Sequence, residues 1–576
     1  MTSMESALGE LEQRTDQAIQ AATAEDVVKR IWRKDATLWK DDEASQKVIR
    51  NALGWLTVPD EMIGVVDELA EFADLIRQRG FQTVMVCGMG GSSLCPEVFA
   101  RTFGRQPDYP ELLVLDSTDP DVLADLLKRI DIQKCLFIIA SKSGSTTEPN
   151  TFYKFWYDQL GRHTASPGAN FIAITDPGSP LVDTAASLGF QRTFLNQVDI
   201  GGRYSALSYF GMVPAALTGI DVRKLLSNAK EAEQSCAPVM PPEKNPALQL
   251  GIIIGEAANS GRDKLTFVIE KSIATLGLWI EQLIAESTGK EGKGILPVAG
   301  EELGDVSEYS TDRLFVSISL DEPSPETSAK LSELSRAGHP VIYRKLSDLY
   351  GLGAEFFAWE FATACAGWSL GINPFDQPNV QESKDATKEL LSTFVNHGSL
   401  PEQKKLVADD LITIYSEDGK LSETSTLQAI RSFLTSVKPN DYIALLNYTE
   451  ETAAIDEELQ KIRSTLRHTT RCATTVGYGP RFLHSTGQLH KGGPDTGVFF
   501  QITANDAVDF AVPGEPYTFS ILKQAQALGD FRSLAKRGRR AIRVDVGNDT
   551  LRGLARLHQL IVESEYNEPG AVASGG

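Results

Sequence analysis

The sequence predicts an α/β protein with two doubly wound parallel-sheet domains, an N-terminal helical segment and a C-terminal α/β unit. From residue 83 onward, short and fully apolar runs alternate with amphipathic stretches of helical length. Such runs are typical of parallel strands, because helices cover both faces of a parallel sheet. At 576 residues the chain is also too long for one hydrophobic core, so we expect several units.

Three groups of apolar runs give the expected order of elements. The first has strands at 84–87, 112–115, 135–140 and 171–175, with helices at 119–130 and 180–190. The second has strands at 266–270, 314–320 and 340–346 and an apolar helix at 353–370. The third follows a polar connection at 398–440 and has strands at 441–448, 472–476, 497–503 and 541–546.

These groups set the expected domain boundaries. A helical segment without strands is expected at 1–60, a first domain at 61–225, a second at 226–398 and an α/β region at 399–576. The polar tail at 567–576 is expected to be disordered.

Composition limits the class of protein. The formal net charge of -21 argues against a nucleic-acid partner, although a small anion needs only a locally positive pocket. The six cysteines form no Cys-x-x-Cys pair and are expected to be buried free thiols. We find no signal peptide and no apolar run of about eighteen residues. A cytoplasmic protein without a membrane partner is therefore expected.

Two loops at predicted strand ends have the composition of anion-binding turns. Residues 88–94 (GMGGSSL) follow the strand at 84–87, and residues 141–148 (SKSGSTTE) follow the strand at 135–140. Glycines allow close approach of a ligand, and free N–H groups, hydroxyls and a lysine form an anion nest. The first loop fits neither a Walker motif nor a dinucleotide fingerprint. The alternatives are a tight strand-to-helix turn for the first and a capping turn for the second.

Three further motifs carry candidate charges. Residues 201–205 (GGRYS) place an arginine after two glycines, and residues 282–290 (QLIAESTGK) close a predicted helix. Gln282 and Glu286 share one face of that helix, and the negative helix end raises the pKa expected for Glu286, which suits a general base. Residues 373–384 follow the long apolar helix. Taken singly, the first is better explained by a surface turn with a solvated arginine and the second by a helix-end glutamate in solvent. The alternative for residues 373–384 is a Pro-rich turn followed by a helix start.

Together, and in this order, the five motifs resemble those of the glucose-6-phosphate isomerases, a family built from two sugar-isomerase (SIS) domains. The resemblance covers residues 83 to 384. The sequence agrees most closely with the family motifs in the segments SKSGSTTE, GGRYS, ESTGK and NPFDQP. It implies aldose–ketose isomerisation of glucose 6-phosphate through a cis-enediol(ate), in glycolysis and gluconeogenesis, without a cofactor because no net electron transfer occurs. It also implies a sugar phosphate as partner and a homodimer. The alternatives are an isomerase that also accepts mannose 6-phosphate and a non-catalytic sugar-phosphate sensor.

The resemblance also implies roles by position. Glu286 is the base, Arg203 and Gly202 face the reacting carbons, and Lys384 contacts the ring oxygen. The residues implied to bind substrate are Gly91, Ser92, Ser141, Lys142, Ser143, Thr146, Gln282 and Gln377. Cys95, Pro378, Asn379 and Gln381 depart from the family's pattern, which affects the placement of Lys384.

The ring-opening histidine of that family has no counterpart at its usual place. His339 is the histidine in the expected interval, but its surroundings differ from the family motif. His484 and His490, in the loop GPRFLHSTGQLHKGGP, are the better candidates, and His490 is preferred because Lys491 and two glycines follow it. No carboxylate or cysteine completes a zinc set with them. The region after 400 resembles the isomerase half of transaldolase–isomerase fusion proteins.

Overall fold

The computed structural model describes residues 3–417 and 423–565. Its strands form three sheets, and helices pack on them. The α/β class with parallel, doubly wound sheets is thus confirmed. The predicted tail at 567–576 lies outside the described residues. In the described ranges, no helix combines the length and the apolarity that a membrane crossing requires.

The N-terminal segment is helical but also contributes a strand. It comprises β1 (Ser3–Ala7), α1 (Leu11–Ala24), α2 (Val27–Trp32), α3 (Glu43–Arg50), α4 (Val58–Ile63) and α5 (Val66–Gln78). The expectation of a strand-free segment was wrong for β1, which pairs antiparallel with the edge of the second sheet. Its sequence, SMESA, has a single large apolar residue and so lacks a strand pattern.

The first sheet is entirely parallel, in the order β3-β2-β4-β5-β6. Its strands are β2 (Thr83–Cys87), β3 (Glu111–Leu115), β4 (Cys135–Ala140), β5 (Phe171–Thr175) and β6 (Arg192–Leu195). Its helices are α6 (Leu94–Phe103), α7 (Pro120–Arg129), α8 (Thr147–Gly161) and α9 (Pro180–Ser187). The four predicted strands are confirmed. The fifth, β6, was missed because it lies at the edge and only Phe194 is buried.

The second sheet has the order β1-β10-β9-β7-β8. Helices α10 (Tyr209–Leu217), α11 (Val222–Ser235) and α12 (Pro246–Asn259) precede it. Its parallel strands are β7 (Lys264–Ile269), β8 (Leu296–Val298), β9 (Arg313–Ser319) and β10 (Val341–Lys345). The helices that follow β7, β9 and β10 are α13 (Leu276–Thr288), α14 (Pro325–Arg336), α15 (Leu352–Leu370) and α16 (Val380–His397). Helix α15 is almost wholly buried, in agreement with its apolar sequence.

The third sheet has the order β11-β12-β16-β15-β13-β14. Its strands are β11 (Lys405–Ala408), β12 (Thr413–Tyr415), β13 (Tyr442–Tyr448), β14 (Ala473–Tyr478), β15 (Gly497–Thr503) and β16 (Arg540–Asp545). Its helices are α17 (Thr426–Leu434), α18 (Ala453–Thr470), α19 (Gly487–Gly492), α20 (Phe519–Lys536) and α21 (Thr550–Glu565). The four predicted strands are confirmed and are parallel; β11 and β12 add an antiparallel edge.

All three sheets share one arrangement of their first four parallel strands. In each, the second strand of the unit lies outside the first, and the third and fourth follow on the other side: β3-β2-β4-β5, β8-β7-β9-β10 and β14-β13-β15-β16. The chain therefore reverses direction across the sheet between the first and third strands. Doubly wound sheets bind ligands at the carboxyl ends of the strands beside this reversal.

Candidate active site

The two loops singled out in the sequence follow the two strands at the reversal of the first sheet. Strands β2 and β4 are neighbours there, and residues 88–93 and 141–146 leave their carboxyl ends. The loop after β4 leads directly into α8, whose first turn therefore points its free N–H groups toward this edge. The fold thus places the predicted anion-binding turns where a ligand of such a sheet binds.

Hydroxyl groups surround the N-terminus of α8. Thr146 is the N-cap residue, with extended backbone, and its side chain caps no backbone N–H. Ser141 donates a hydrogen bond to Thr146, with 3.2 Å between the two oxygens. Gly144 has a φ of +63°, and a Cβ there would lie 2.8 Å from the Leu181 nitrogen. Glycine is therefore required to turn the loop so that its hydroxyls face the helix end.

A cleft of about 710 Å³ opens beside this helix end. Ser143, Ser145, Thr146 and Thr147 line one part of it, and Lys384, on α16, lines another. The Lys384 ammonium has no hydrogen bond or ion pair among the described residues. Helix N–H groups, several hydroxyls and an ammonium without an ion pair together make this end of the cleft suited to an anion.

Three residues expected near the anion lie elsewhere. Lys142 pairs with Asp176 and donates to the Val198 carbonyl oxygen at 3.0 Å, and it does not line the cleft. Ser92 is buried outside the cleft lining. Gly91 packs so closely on the backbone of Gly202 that a Cβ would lie 1.8 Å from its oxygen. The glycine-rich loop therefore supports the arginine loop.

Arg203 is the centre of a buried polar cluster. Its side chain is 2% exposed, and its Nε donates to Ser287 Oγ at 2.7 Å. Its Nη2 donates to the Pro374 carbonyl oxygen at 2.7 Å, and its Nη1 donates to Gln377 and lies 3.5 Å from Glu286 Oε2. Gln377, implied by the resemblance to bind phosphate, thus contacts Arg203 in this structure. These bonds hold the guanidinium beside the Glu286 carboxylate.

Glu286 is buried near the end of α13, as its place in the helix predicted. Burial raises the pKa of its carboxyl group, and the charges of Arg203, His484 and Lys290 only partly offset this. The direction agrees with the expectation, but burial is the largest cause. A carboxyl group with a raised pKa beside a fixed guanidinium suits proton transfer near neutral pH.

Gln282 shares the face of α13 on which Glu286 lies. Its Nε2 is 3.4 Å from Glu286 Oε2 and donates to the His484 carbonyl oxygen at 2.8 Å. Its Oε1 is buried without a hydrogen-bond partner. The amide therefore joins Glu286 to the loop from the third unit and leaves its own oxygen as a free acceptor.

His484 is brought to the cleft by that loop. Its imidazole lines the cleft, and its Nε2 lies 3.1 Å from Glu148 Oε1. Glu148 is in the first turn of α8 and also accepts a hydrogen bond from Gln526 Nε2 at 2.6 Å. Burial alone would raise the pKa of Glu148, but the charge and hydrogen bond of His484 outweigh it and hold that pKa below its ordinary value. Glu148 thus stays ionised and orients the imidazole.

The other histidine candidates lie outside the cleft. His490 is 2% exposed, packs among the rings of Tyr442, Phe482 and Phe499, and has no partner for either ring nitrogen. Burial lowers its pKa. The structure therefore places His484 at the cleft and the preferred His490 away from it, because α19 turns the later residue into the hydrophobic interior. His339 packs against Tyr309 and Phe315 in the second unit.

Three functional candidates received no role from the sequence. Glu148 and Lys290 lie within recognised motifs, whereas Gln526 lies in α20, far along the chain. Lys290 donates to the Asn373 carbonyl oxygen at 2.8 Å and to Asp376 Oδ1 at 2.7 Å, and so fixes the loop that holds Arg203. Burial lowers the Lys290 pKa to about 8. Its position four residues after Glu286 was the available clue.

Comparison with known proteins gives a consistent family. Residues 62–295 match the sequence model of the family described as phosphoglucose isomerase. The chain is 27% identical over 391 residues to a probable glucose-6-phosphate isomerase of Methanococcus maripaludis, covering 60% of this chain and 86% of that protein. It is 25% identical over 395 residues to the glucose-6-phosphate isomerase of Leptospira interrogans, covering 61% and 88%. Over the matched part, the chain is thus similar to the glucose-6-phosphate isomerases.

Solved structures share the fold. The hypothetical protein TT0462 from Thermus thermophilus aligns with a TM-score of 0.58 at 22% identity, covering 68% of this chain and 100% of that one. A glucose-6-phosphate isomerase from Chlamydia trachomatis aligns with a TM-score of 0.55 at 19% identity, covering 68% and 89%. About a third of this chain therefore has no counterpart in either structure.

Proposed function

We propose that this chain, a relative of the glucose-6-phosphate isomerases, interconverts glucose 6-phosphate and fructose 6-phosphate through a cis-enediol(ate). One observation carries the proposal. A buried carboxyl group with a raised pKa, Glu286, lies beside a fixed guanidinium, and the loop that contacts its neighbour Gln282 also lines an anion-suited cleft. Phosphate binding and proton transfer on one sugar need these two features close together.

The phosphate binds at the N-terminus of α8. Ser143 and Thr146 offer hydroxyl donors there, and the helix end adds backbone N–H groups. The substrate's remaining carbons then extend from the helix end toward Gln282 and Glu286. Anchoring through a non-reacting phosphate supplies binding energy that holds the reacting carbons against the base.

Ring opening uses His484 together with Lys384. Because Glu148 takes the Nε2 side of the imidazole, Nδ1 is left to exchange a proton with the sugar hydroxyl. Nδ1 accepts the proton of the anomeric hydroxyl, and the ammonium of Lys384, in the same cleft, donates a proton to the ring oxygen as the bond to the anomeric carbon breaks. The aldehyde or ketone forms next to Glu286.

Isomerisation then moves one proton. Glu286 removes it from C2 of the aldose and returns it to C1. The C2 hydroxyl loses its proton and the C1 oxygen gains one, so that the carbonyl group passes from C1 to C2. Arg203 and the Gln282 amide stabilise the negative charge of the enediolate. The buried position of Glu286 keeps bulk water away from the intermediate.

The histidine comes from the same chain. His484 lies in the third unit, and Glu148 and Gln282 lie in the first and second, so one chain supplies all three. The homodimer implied by the resemblance is therefore not needed to complete the site. The six cysteines are buried and free, which supports a reducing, cytoplasmic location.

The test is an isomerase assay on the purified full chain. Fructose 6-phosphate is supplied, and glucose 6-phosphate is detected through a coupled dehydrogenase, with mannose 6-phosphate followed by NMR in the same reaction. We expect glucose 6-phosphate as the main product and the reverse reaction from glucose 6-phosphate. Tight binding of both sugars without conversion would instead identify a sugar-phosphate sensor.

A further inference from the structure

A second cavity lies in the third unit, on the far side of the helices that wall the cleft. Its volume is about 640 Å³, and it opens at the carboxyl ends of β15 and β16, where Thr503, Asn505 and Asp545 line it. Small-molecule sites occupy roughly 300–1,000 Å³. These strands are the third and fourth of a sheet arranged like the catalytic ones, so the cavity is at the ligand-binding edge of that sheet.

A buried arginine faces this cavity with most of its donors unused. Arg543 is 5% exposed, and its Nε donates to Gln501 Oε1 at 2.6 Å. Its Nη2 is buried without a partner, and no carboxylate of the described residues hydrogen-bonds to the guanidinium. Asp545, also at the cavity, accepts instead from Thr503 Oγ1 at 2.9 Å and the Gly547 nitrogen at 3.0 Å. The guanidinium lies over the Phe531 ring, 5.3 Å from its centre, but a buried guanidinium without a carboxylate partner is costly unless an anion completes it.

Further polar groups converge on the same space. Lys405, at the start of β11, lines the cavity and has no ion pair among the described residues, and Glu402 is an exposed carboxylate at its rim. Gln403 Oε1 is a buried acceptor without a partner. Apolar side chains make up much of the remaining wall: Phe394, Leu400, Ile521 and Leu528. Besides the carboxylates of Glu402 and Asp545, the cavity thus offers two cations, one free acceptor and an apolar wall, a composition that suits a small-molecule site.

We propose that this cavity is a second binding site, separate from the catalytic cleft, for a small organic anion. A carboxylate or phosphate monoester pairs with Arg543, and Lys405 adds a second positive charge. A hydroxyl or amide donor of the ligand satisfies Gln403 Oε1. The body of the ligand packs on the apolar wall.

The two cavities share two helices. On α16, Lys384 and Val395 line the catalytic cleft and Phe394 lines the second cavity. On α20, Gln526 lines the cleft, whereas Gln524 and Leu528 line the second cavity. A ligand bound in the second cavity therefore contacts the helices that position Lys384 and Glu148.

The test is calorimetric titration of the full chain with two probes, phenyl phosphate and benzoate. Both carry an apolar ring, and they distinguish a phosphate from a carboxylate ligand. The catalytic cleft is first saturated with a gluconate phosphate. We expect at least one of the two probes to bind saturably, with one molecule per chain. Arg543→Met should weaken it at least about tenfold, as expected for loss of a charge-assisted hydrogen-bonded pair.

Matched variants keep the result interpretable. Arg552→Met removes the same charge from the surface of α21, where the side chain is 70% exposed, and should leave probe binding unchanged. Thr146→Val alters the catalytic cleft alone and should also leave it unchanged, whether or not the chain is an isomerase. Lys405→Met changes an exposed residue and serves as the test if Arg543→Met does not fold. It should weaken probe binding about threefold. Absence of saturable heat with both probes, or unchanged binding by Lys405→Met and a folded Arg543→Met, overturns the proposal.

Discussion

Two buried glutamates on α13 show how similar residues acquire different tasks on the two faces of one helix. Glu281 faces a small cavity beside the third unit and accepts a hydrogen bond from the Ala299 nitrogen at 3.4 Å. Glu286 faces Arg203 and Gln282. Burial is the largest cause of a raised pKa at both, to about 8 for Glu281. A raised pKa thus shows only that a carboxyl group is buried. The groups beside it, here Arg203 and Gln282, are what distinguish a candidate base from a buried glutamate without a role.

The largest effect that separates the two faces is expected from Glu286→Gln. The substitution keeps size and hydrogen bonding but removes the basic oxygen, so kcat should fall by about 10²–10⁴. Thermal unfolding should change little. Glu281→Gln is the matched control on the same helix, and its kcat should stay within a few-fold of the wild type. Equal losses from the two substitutions would show that helix α13, and not the base, limits turnover.

Glu281→Gln should instead alter the pH dependence of stability. The folded-state pKa of about 8 lies above the unfolded value of 4.5, so the folded protein binds more protons between these values. The free energy of unfolding therefore falls as the pH rises from about 4.5 to 8. In the Gln variant the free energy of unfolding should fall less. The unfolding equilibrium constant should rise between pH 5 and 8 by a factor on the order of 10² less than in the wild type. Urea unfolding at pH 5, 6.5 and 8 measures this difference. If the free energy of unfolding changes with pH equally in both proteins, Glu281 does not have a raised pKa.

His484→Asn tests the face of the cleft supplied by the third unit. Loss of the proton carrier should slow isomerisation of glucose 6-phosphate by about 10². Erythrose 4-phosphate cannot close a ring through its phosphorylated hydroxyl, so its isomerisation should stay within a few-fold. His490→Phe replaces an unpartnered buried ring and should leave both rates near the wild type. Slowing of both substrates by His484→Asn would assign His484 to a step after ring opening.

The smallest effect is expected at the anion end. Thr146→Val removes one hydroxyl donor from the helix end, and KM for fructose 6-phosphate should rise about tenfold with kcat within a few-fold, because this contact is made equally in ground and transition states. Steady-state kinetics with Lys142→Met gives the contrast, since Lys142 pairs with Asp176 outside the cleft. If KM rises more in Lys142→Met than in Thr146→Val, Lys142 binds the substrate phosphate.

The sequence predicted the parts of the fold that burial dictates. The central strands are apolar on both faces, and each was found in place, whereas the short strands β1, β6, β8, β11 and β12 were missed. Strands β1, β6 and β11 lie at sheet edges and are partly exposed, so their composition resembles that of loops. Strands β8 and β12 have only three residues each, which is too short for a strand pattern. Propensity could not identify β1, which depends on pairing with β10, more than three hundred residues away.

Candidate site residues could be predicted where several polar groups lie together in one short segment. Residues 141–148 and 282–290 indicated the hydroxyls at the cleft, the Gln282 amide and the Glu286 carboxyl group with a raised pKa, because their composition is unusual for a turn or helix end. The contact between Glu148 and His484 joins residues 336 positions apart, so no local pattern indicated it. His484 and His490 are six positions apart in one loop, and only the packing of α19 decides which reaches the cleft.

Strand β1 has a consequence for how copies of this protein behave in solution. It covers the backbone donors and acceptors along the outer edge of β10, pairing Ser3 with Lys345 through to Ala7 with Val341. Uncovered strand edges template pairing with other chains. Removal of the first eight residues would leave β10 as an open edge beside the buried β9. Protein shortened in this way should therefore self-associate through that edge, even though the cleft lies in a different part of the molecule.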